Sequence, residues 1–169
     1  MKTLISLFAL MIVMTSMSFA QFDKSMAVDA AFELNFPMSS LSNGASTGWA
    51  TTVRYEINVG QNWVLMLTTG YGAFGESNKT TYSYVPLVLG TKLYLYKGWY
   101  GMVETGYHFY TVDVTGGSSS SKSEWGFGIG TGWEIPLSNL LSLDLATKYQ
   151  YNVDDLSYWH SRAGLMFKF

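Results

Sequence analysis

The chain has 169 residues, no cysteine and a formal charge of −2 at pH 7, with 17 % aromatic and only 13 % charged residues. The lack of cysteine excludes a disulfide-stapled scaffold, and the lack of a basic patch argues against a nucleic-acid partner. Abundant aromatic residues in a chain of low charge favour strands over solvated helices.

The first 20 residues have the three parts of a secretory signal peptide. Lys2 supplies a positive charge, residues 4–14 are apolar, and the segment ends in the small-x-small sequence SFA. The apolar part is shorter than the roughly 20 residues that a transmembrane helix needs. We therefore predict an exported protein that is cleaved between Ala20 and Gln21 and has one mature domain, residues 21–169.

Beyond residue 20, the alternation of apolar and polar residues recurs eight times, which predicts eight β-strands. The predicted strands cover residues 27–36, 49–59, 63–73, 81–95, 99–111, 125–136, 141–151 and 159–169. The short turns GQN, YKG and PLSN alternate with longer polar connections, of which the serine tract at 115–123 predicts a flexible loop. This asymmetry is typical of an antiparallel up-and-down barrel of the outer membrane, for which eight strands is the smallest number.

Two eight-stranded architectures compete: a soluble calyx that is apolar inside, and a transmembrane β-barrel that is apolar outside. The tryptophans distinguish them, because all six fall on the apolar face and three lie near each end of the strands. Aromatic girdles at the two membrane interfaces have this arrangement. The predicted girdles are Trp49, Trp125 and Trp159 at the outer rim and Trp63, Trp99 and Trp133 at the inner rim.

The opposite face of the strands carries six acidic and four basic residues, which an all-β membrane barrel would enclose. Side chains just fill an interior of eight strands, and buried charges persist only when they are paired or hydrated. We therefore predict a polar plug in which Arg162 and Lys148 meet Glu33, and Arg54 meets Glu56 or Glu104. The predicted charge network consists of Glu33, Arg54, Glu56, Lys92, Glu104, Asp144, Lys148 and Arg162, with Asp29 and Glu134 on the same face.

The segment WGFGIGTGWEIP at residues 125–136 has glycine at every second position. Its apolar face predicts contact with lipid. Its bare face is predicted to point inward, where Gly126, Gly128, Gly130 and Gly132 leave room for the charged side chains and permit the sharp coiling of a narrow barrel.

The chain ends in Phe169, preceded at alternate positions by Leu165 and Phe167. Together with SYVPLVLGTKLYLY at 83–96 and GIGTGWEIPLSNLLSLDLATKYQY at 128–151, this ending resembles the small bacterial outer-membrane β-barrel family that includes the OmpA transmembrane domain, OmpX and OmpW-like proteins. The resemblance implies a monomer in contact with outer-membrane lipid and lipopolysaccharide. It also implies that periplasmic chaperones and the barrel-assembly machinery handle the chain, with Leu165, Phe167 and Phe169 as the assembly signal.

Three functions are open at this point. The first is a structural or surface-interaction role with a plugged interior, no catalysis, no cofactor and no metal. The second is a narrow channel for small or apolar solutes, as in OmpW-like proteins. The third is an enzyme that modifies lipid A, for which His160 beside Ser161 offers two members of a triad. Adjacent strand residues face opposite sides, and the sequence has no G-x-S-x-G motif or metal-ligand cluster, so the first function is favoured.

Overall fold

The computed structural model describes residues 26–38, 41–76, 80–117, 119–153 and 156–169. The predicted signal peptide at residues 1–20 and its cleavage site lie outside the described residues. Within the part of the chain that is described, no helix has both the length and the hydropathy needed to cross a membrane.

Eight antiparallel strands form a closed barrel in which each strand pairs with its neighbour in sequence and the last pairs with the first. This topology confirms the predicted all-β, eight-stranded up-and-down barrel. A four-residue helical turn, α1 (Leu41–Gly44), follows the first strand. The strands are β1 (Met26–Pro37), β2 (Ala45–Asn58), β3 (Trp63–Glu76), β4 (Thr80–Tyr96), β5 (Trp99–Val114), β6 (Ser119–Pro136), β7 (Leu141–Asn152) and β8 (Tyr158–Lys168).

The two ends of the barrel carry different connections. Met26 and Phe169 are joined by backbone hydrogen bonds of 3.3 and 3.0 Å, and we call the end that contains them the terminus end. Connections 59–62, 97–98 and 137–140 lie at this end. The strand ends at Pro37, Glu76, Val114 and Asn152 lie at the opposite end, which we call the loop end.

The strands reach further toward the loop end than the sequence predicts. The serine tract is the clearest case, because Ser119, Ser121 and Ser123 continue β6 and pair with β5 from Asp113 to Phe109. The prediction of a loop over 115–123 is therefore wrong for these residues. Strand β5 offers a row of backbone donors and acceptors that must be satisfied, and this tertiary pairing overrides the low strand propensity of serine.

Burial alternates along the strands with the two-residue period of a β-sheet. In β1 the outward side chains of Phe32 and Phe36 are 50 % and 41 % exposed, whereas the inward side chains of Asp29, Glu33 and Asn35 are buried. The barrel is therefore apolar outside and polar inside, which is the reverse of a soluble calyx. An apolar exterior of this extent requires a hydrocarbon environment.

Candidate functional site: the barrel interior

Asp144 of β7 lies at the centre of the interior charges. Arg162 Nη1 donates to Asp144 Oδ2 at 2.7 Å, and Arg54 Nη1 donates to the same oxygen at 3.4 Å. Tyr100 donates its hydroxyl to the other carboxylate oxygen at 2.5 Å, and Lys92 Nζ lies 3.7 Å from Oδ2. This carboxylate thus accepts hydrogen bonds from three other strands and lies within ion-pair distance of a fourth, which ties opposite walls of the barrel together.

Two further carboxylates complete this network. Arg162 Nη2 lies 2.9 Å from Asp29 Oδ2, and Lys92 Nζ lies 2.5 Å from Glu56 Oε1. Arg54 Nη1 is 3.7 Å from Glu56, one of its two predicted partners, and 4.0 Å from Asp29. The network contains three acidic and three basic side chains, so its formal charges cancel, and pairing of this kind is what allows charges to be buried. We call the following residues the charged layer: Asp29, Arg54, Glu56, Lys92, Asp144 and Arg162.

Glu33 joins the charged layer to the loop-end half of the interior. Its Oε1 accepts a hydrogen bond from the Thr52 hydroxyl at 2.7 Å and lies 3.5 Å from Arg162 Nε, across the seam between β1 and β8. Its Oε2 lies 3.3 Å from His160 Nδ1. Of the two predicted basic partners of Glu33, Arg162 is therefore near it. Thr52 and His160 are further neighbours that were not part of the predicted charge network.

Lys148 departs from its predicted partner, because it forms an ion pair with Glu104 instead of Glu33. The register explains the difference. Lys148 lies directly opposite His160 of β8, and it is His160 that contacts Glu33. On its other side Lys148 faces Gly130 of β6, where no side chain blocks the way to β5.

The inward glycines of β6 make this crossing possible. Gly128 is the register partner of Glu104, and a Cβ added there would lie 2.8 Å from Glu104 Cγ and 2.9 Å from Lys148 Cδ. A Cβ at Gly132 would overlap the ring of Tyr100, whose hydroxyl reaches Asp144. The bare face of β6 is therefore filled by side chains from β5 and β7, and it does point inward as predicted.

An aromatic layer fills the loop end of the interior. Neighbouring rings in this layer have centroids 5.4 to 5.7 Å apart, and the rings are those of Phe74, Tyr84, Tyr110 and Tyr158. Asn35 donates to the Tyr84 hydroxyl at 2.9 Å, and Asn152 donates to the Tyr110 hydroxyl at 2.8 Å and to the Leu156 carbonyl at 2.9 Å. The alternation along β4 is enough to place Tyr84 inward. Leu41 and Leu156 lie outside the strands, so no alternation in the sequence predicts that they are buried here. We call the following residues the aromatic cap: Leu41, Phe74, Tyr84, Tyr110, Leu156 and Tyr158.

An apolar cluster fills the terminus end. Below it, Glu134 accepts a hydrogen bond from the Tyr94 hydroxyl at 2.5 Å and pairs with Lys168. A depression bounded by these side chains and Met166 has a volume of about 10 Å³, about the minimum for one water molecule. We call the following residues the apolar floor: Val64, Met66, Tyr94, Tyr100, Met102 and Ala146.

The family model of the outer membrane protein beta-barrel domain matches residues 6–169. The chain belongs to this family. It is therefore an outer-membrane β-barrel, and the apolar exterior described above faces lipid. The sequence has no significant similarity to any curated protein.

Solved structures share the fold of this outer-membrane barrel. Neisserial surface protein A (NspA) has a TM-score of 0.66 and 17 % identity, over 85 % of this chain and 97 % of NspA. Ail, the attachment invasion locus protein of Yersinia pestis, has a TM-score of 0.62 and 15 % identity, over 86 % and 99 %. OprG from Pseudomonas aeruginosa has a TM-score of 0.62 and 11 % identity, over 86 % and 96 %. At these identities the likeness shows the fold alone.

The tryptophans of the predicted girdles project outward from the barrel wall. Five of them are 41 to 49 % exposed, and Trp63 is partly exposed. Trp49 and Trp159 lie beside the last outward residues of β1 at the loop end. Trp99 and Trp133 are direct register partners at the terminus end. The residues of the predicted assembly signal also face outward: Leu165, Phe167 and Phe169.

The residues considered for catalysis do not form a triad. His160 is buried inside the barrel, whereas the adjacent Ser161 is exposed on the outer face. The hydroxyl near the His160–Glu33 pair belongs to Thr52, which donates to Glu33 and not to the imidazole. Among the residues that the structure describes, no cluster of three or more acidic or histidine side chains has the geometry to hold a metal ion.

Proposed function

We propose that the protein is a monomeric outer-membrane barrel that conducts no solute and has a structural or surface-interaction role. The observation that carries this proposal is the occupation of the interior from end to end. The aromatic cap fills the loop end, the charged layer and the apolar floor lie side by side toward the terminus end, where Lys92 is the register partner of Val64 and Met102, and these side chains are buried. A passage for solutes would require several of these contacts to break together.

The same proposal gives the barrel an orientation. Short periplasmic turns are usual in this architecture, so the terminus end faces the periplasm and the loop end faces outward. Trp133 follows Trp125 by eight positions in β6. At about 3.3 Å per residue and a tilt near 40° this corresponds to roughly 20 Å of height, close to the apolar band of roughly 25 Å. The tryptophans then act as the two membrane-interface girdles.

Export and assembly follow from the ends of the sequence. Signal peptidase removes residues 1–20, and N-terminal sequencing of the protein from isolated membranes should begin at Gln21. The last outward residues of β8, Leu165, Phe167 and Phe169, are then read by the barrel-assembly machinery after transfer by periplasmic chaperones. Lipopolysaccharide and phospholipid surround the assembled barrel.

Planar-bilayer recording tests the closed interior. Purified protein refolded in detergent should show the heat-modifiable gel mobility of a barrel, yet add no steady conductance to the bilayer. An open porin, inserted under the same conditions, is the positive control. Steady high conductance from the folded protein would contradict the proposal.

A second candidate function is a narrow lateral channel for apolar solutes, and one feature of the barrel wall favours it. The register of β3 with β4 runs through Thr69↔Leu87 and resumes at Gly72↔Tyr84. Between these pairs lies Pro86, which has no N–H to donate to the ladder. Inside the wall, however, the Tyr84 ring packs against Gly72. Liposome uptake of a small apolar dye that falls in Pro86→Ala would favour the channel over the closed barrel.

We also propose that the protein has no enzymatic activity. The separation of His160 from Ser161 by the barrel wall supports this, because a nucleophile and its base must lie within hydrogen-bond reach. Deletion of the gene should leave the mass spectrum of lipid A unchanged. A lost or shifted lipid A species that returns with the wild-type gene would contradict it.

A further inference from the structure

A groove runs along the lipid-facing side of β4, β5 and β6 near the terminus end. It has a volume of about 280 Å³, several times the roughly 30 Å³ that one water molecule occupies in the liquid. Its walls are almost entirely apolar, and the hydroxyl of Thr91 at its edge is already bonded to the Val64 carbonyl at 2.9 Å. The groove is lined chiefly by Trp63, Leu93, Leu95, Gly101, Val103 and Ile129.

The groove exists because Gly101 has no side chain. Its neighbours Tyr100 and Met102 are buried inside the barrel, so position 101 faces lipid. A Cβ built at Gly101 would meet nothing within 4 Å. Unlike the inward glycines of β6, this glycine therefore leaves its space to something outside the chain. Within a bilayer that space lies in hydrocarbon, where water is not a stable occupant.

A cation lies at the membrane-interface end of the same hairpin. Lys97 occupies the tight turn between β4 and β5 with a φ of 38°, and its Nζ lies 5.1 Å from the centre of the exposed Tyr96 ring. Among the described residues it has no carboxylate within ion-pair distance. Lys97 precedes Gly101 by four positions, which corresponds to at most about 13 Å of extended chain. Lysine ammonium groups at this depth extend toward lipid phosphates.

We propose that this face of the barrel is a binding site for one phospholipid of the terminus-end leaflet. An acyl chain lies in the groove over Gly101, between Leu93 and Ile129, and the phosphate is held by Lys97. The girdle residues Trp63 and Trp99 flank the glycerol region. The site would give the barrel one retained lipid in place of a uniformly exchanging shell.

Native mass spectrometry of the whole folded protein tests the site. The protein is refolded in detergent micelles that contain a low fraction of palmitoyl-oleoyl phosphatidylglycerol, and the fraction that retains one lipid is measured. Gly101→Leu fills the groove, and it is expected to fold because the added side chain enters open space. The matched control is Ala163→Leu, which likewise leaves a leucine side chain on the lipid-facing side, here of β8.

Retention of the first lipid should fall about tenfold in Gly101→Leu, because losing the burial of two methylene groups corresponds to that factor, and it should be unchanged in Ala163→Leu. Lys97→Gln should also lower retention, whereas Lys122→Gln, at the loop end, should not. Wild-type retention in Gly101→Leu or in Lys97→Gln would overturn the proposal. Equal losses in Ala163→Leu and Gly101→Leu would overturn it as well.

Discussion

The inner and outer faces of the same strands follow different rules. In the middle of β6, the inward positions 126, 128, 130 and 132 are glycines, and they lie against side chains of the neighbouring strands, such as Glu104 and Tyr100. Of the outward side chains, Trp125 and Ile129 are 46 % and 54 % exposed, on the face that an outer-membrane barrel turns to lipid. The residue type at an inward position is therefore constrained by the particular side chains packed against it. At an outward position the side chain has only to be apolar. The predictions below test this difference.

The largest difference is expected between Asp144 and its outward neighbour Leu145. Asp144→Ala removes a carboxylate that both Arg54 and Arg162 contact. Removing one partner of a buried ion pair lowers the free energy of unfolding by about 3 to 5 kcal/mol. Leu145→Ala removes a side chain that is 40 % exposed and should cost roughly 1 kcal/mol. Urea unfolding of the refolded barrel in micelles measures both. Equal losses would mean that the charged layer contributes no more than the lipid face.

A second test adds volume inside and outside. Gly128→Leu forces a side chain into the space of Glu104 and Lys148, and overpacking of this kind costs about 1 to 3 kcal/mol or more. Ala163→Leu adds three carbon atoms on the lipid side, against four in Gly128→Leu, and should fold like the wild type. The fraction that reaches the heat-modifiable form during refolding is the measurement. If both variants fold equally well, the interior does not depend on the bare face of β6.

The partner of Lys148 can be established by double-mutant cycles. Lys148→Gln combined with Glu104→Gln should show a coupling free energy of unfolding of about 1 to 3 kcal/mol, because the two groups form a buried pair. Lys148→Gln combined with Glu33→Gln should show a clearly smaller value. The reverse order would restore the pairing that the sequence alone predicted.

The smallest effect is expected in the aromatic cap. Tyr84→Phe removes the hydroxyl that accepts a hydrogen bond from Asn35 and should cost about 1 kcal/mol, with no gain in bilayer conductance, since the ring remains. Tyr71→Phe, on the outer face of β3, is the control and should stay within about 0.5 kcal/mol of the wild type. Chemical unfolding and bilayer recording follow the two variants. Conductance that appears in Tyr84→Phe would place the barrier to solutes in that one hydrogen bond.

Much of the barrel could be predicted from period-two patterning. A strand has only two faces, so parity assigns each side chain to the interior or to the exterior without knowledge of the neighbours. This is why the number of strands, the inward glycines and the outward tryptophans follow from the sequence. The serine tract could not be assigned in this way, because its extension of β6 depends on the backbone of β5.

The sequence by itself therefore determined which residues share the interior, and the tertiary structure decided which of them meet. Register between strands and the curvature of a closed wall set the distances between inward side chains, and neither is encoded in the alternation of one strand. Lys148 shows the consequence, since it passes over Gly128 to Glu104 while His160 occupies the place beside Glu33. The groove at Gly101 is a second case: parity turns this glycine outward, but only the packed wall shows that no neighbour fills the space.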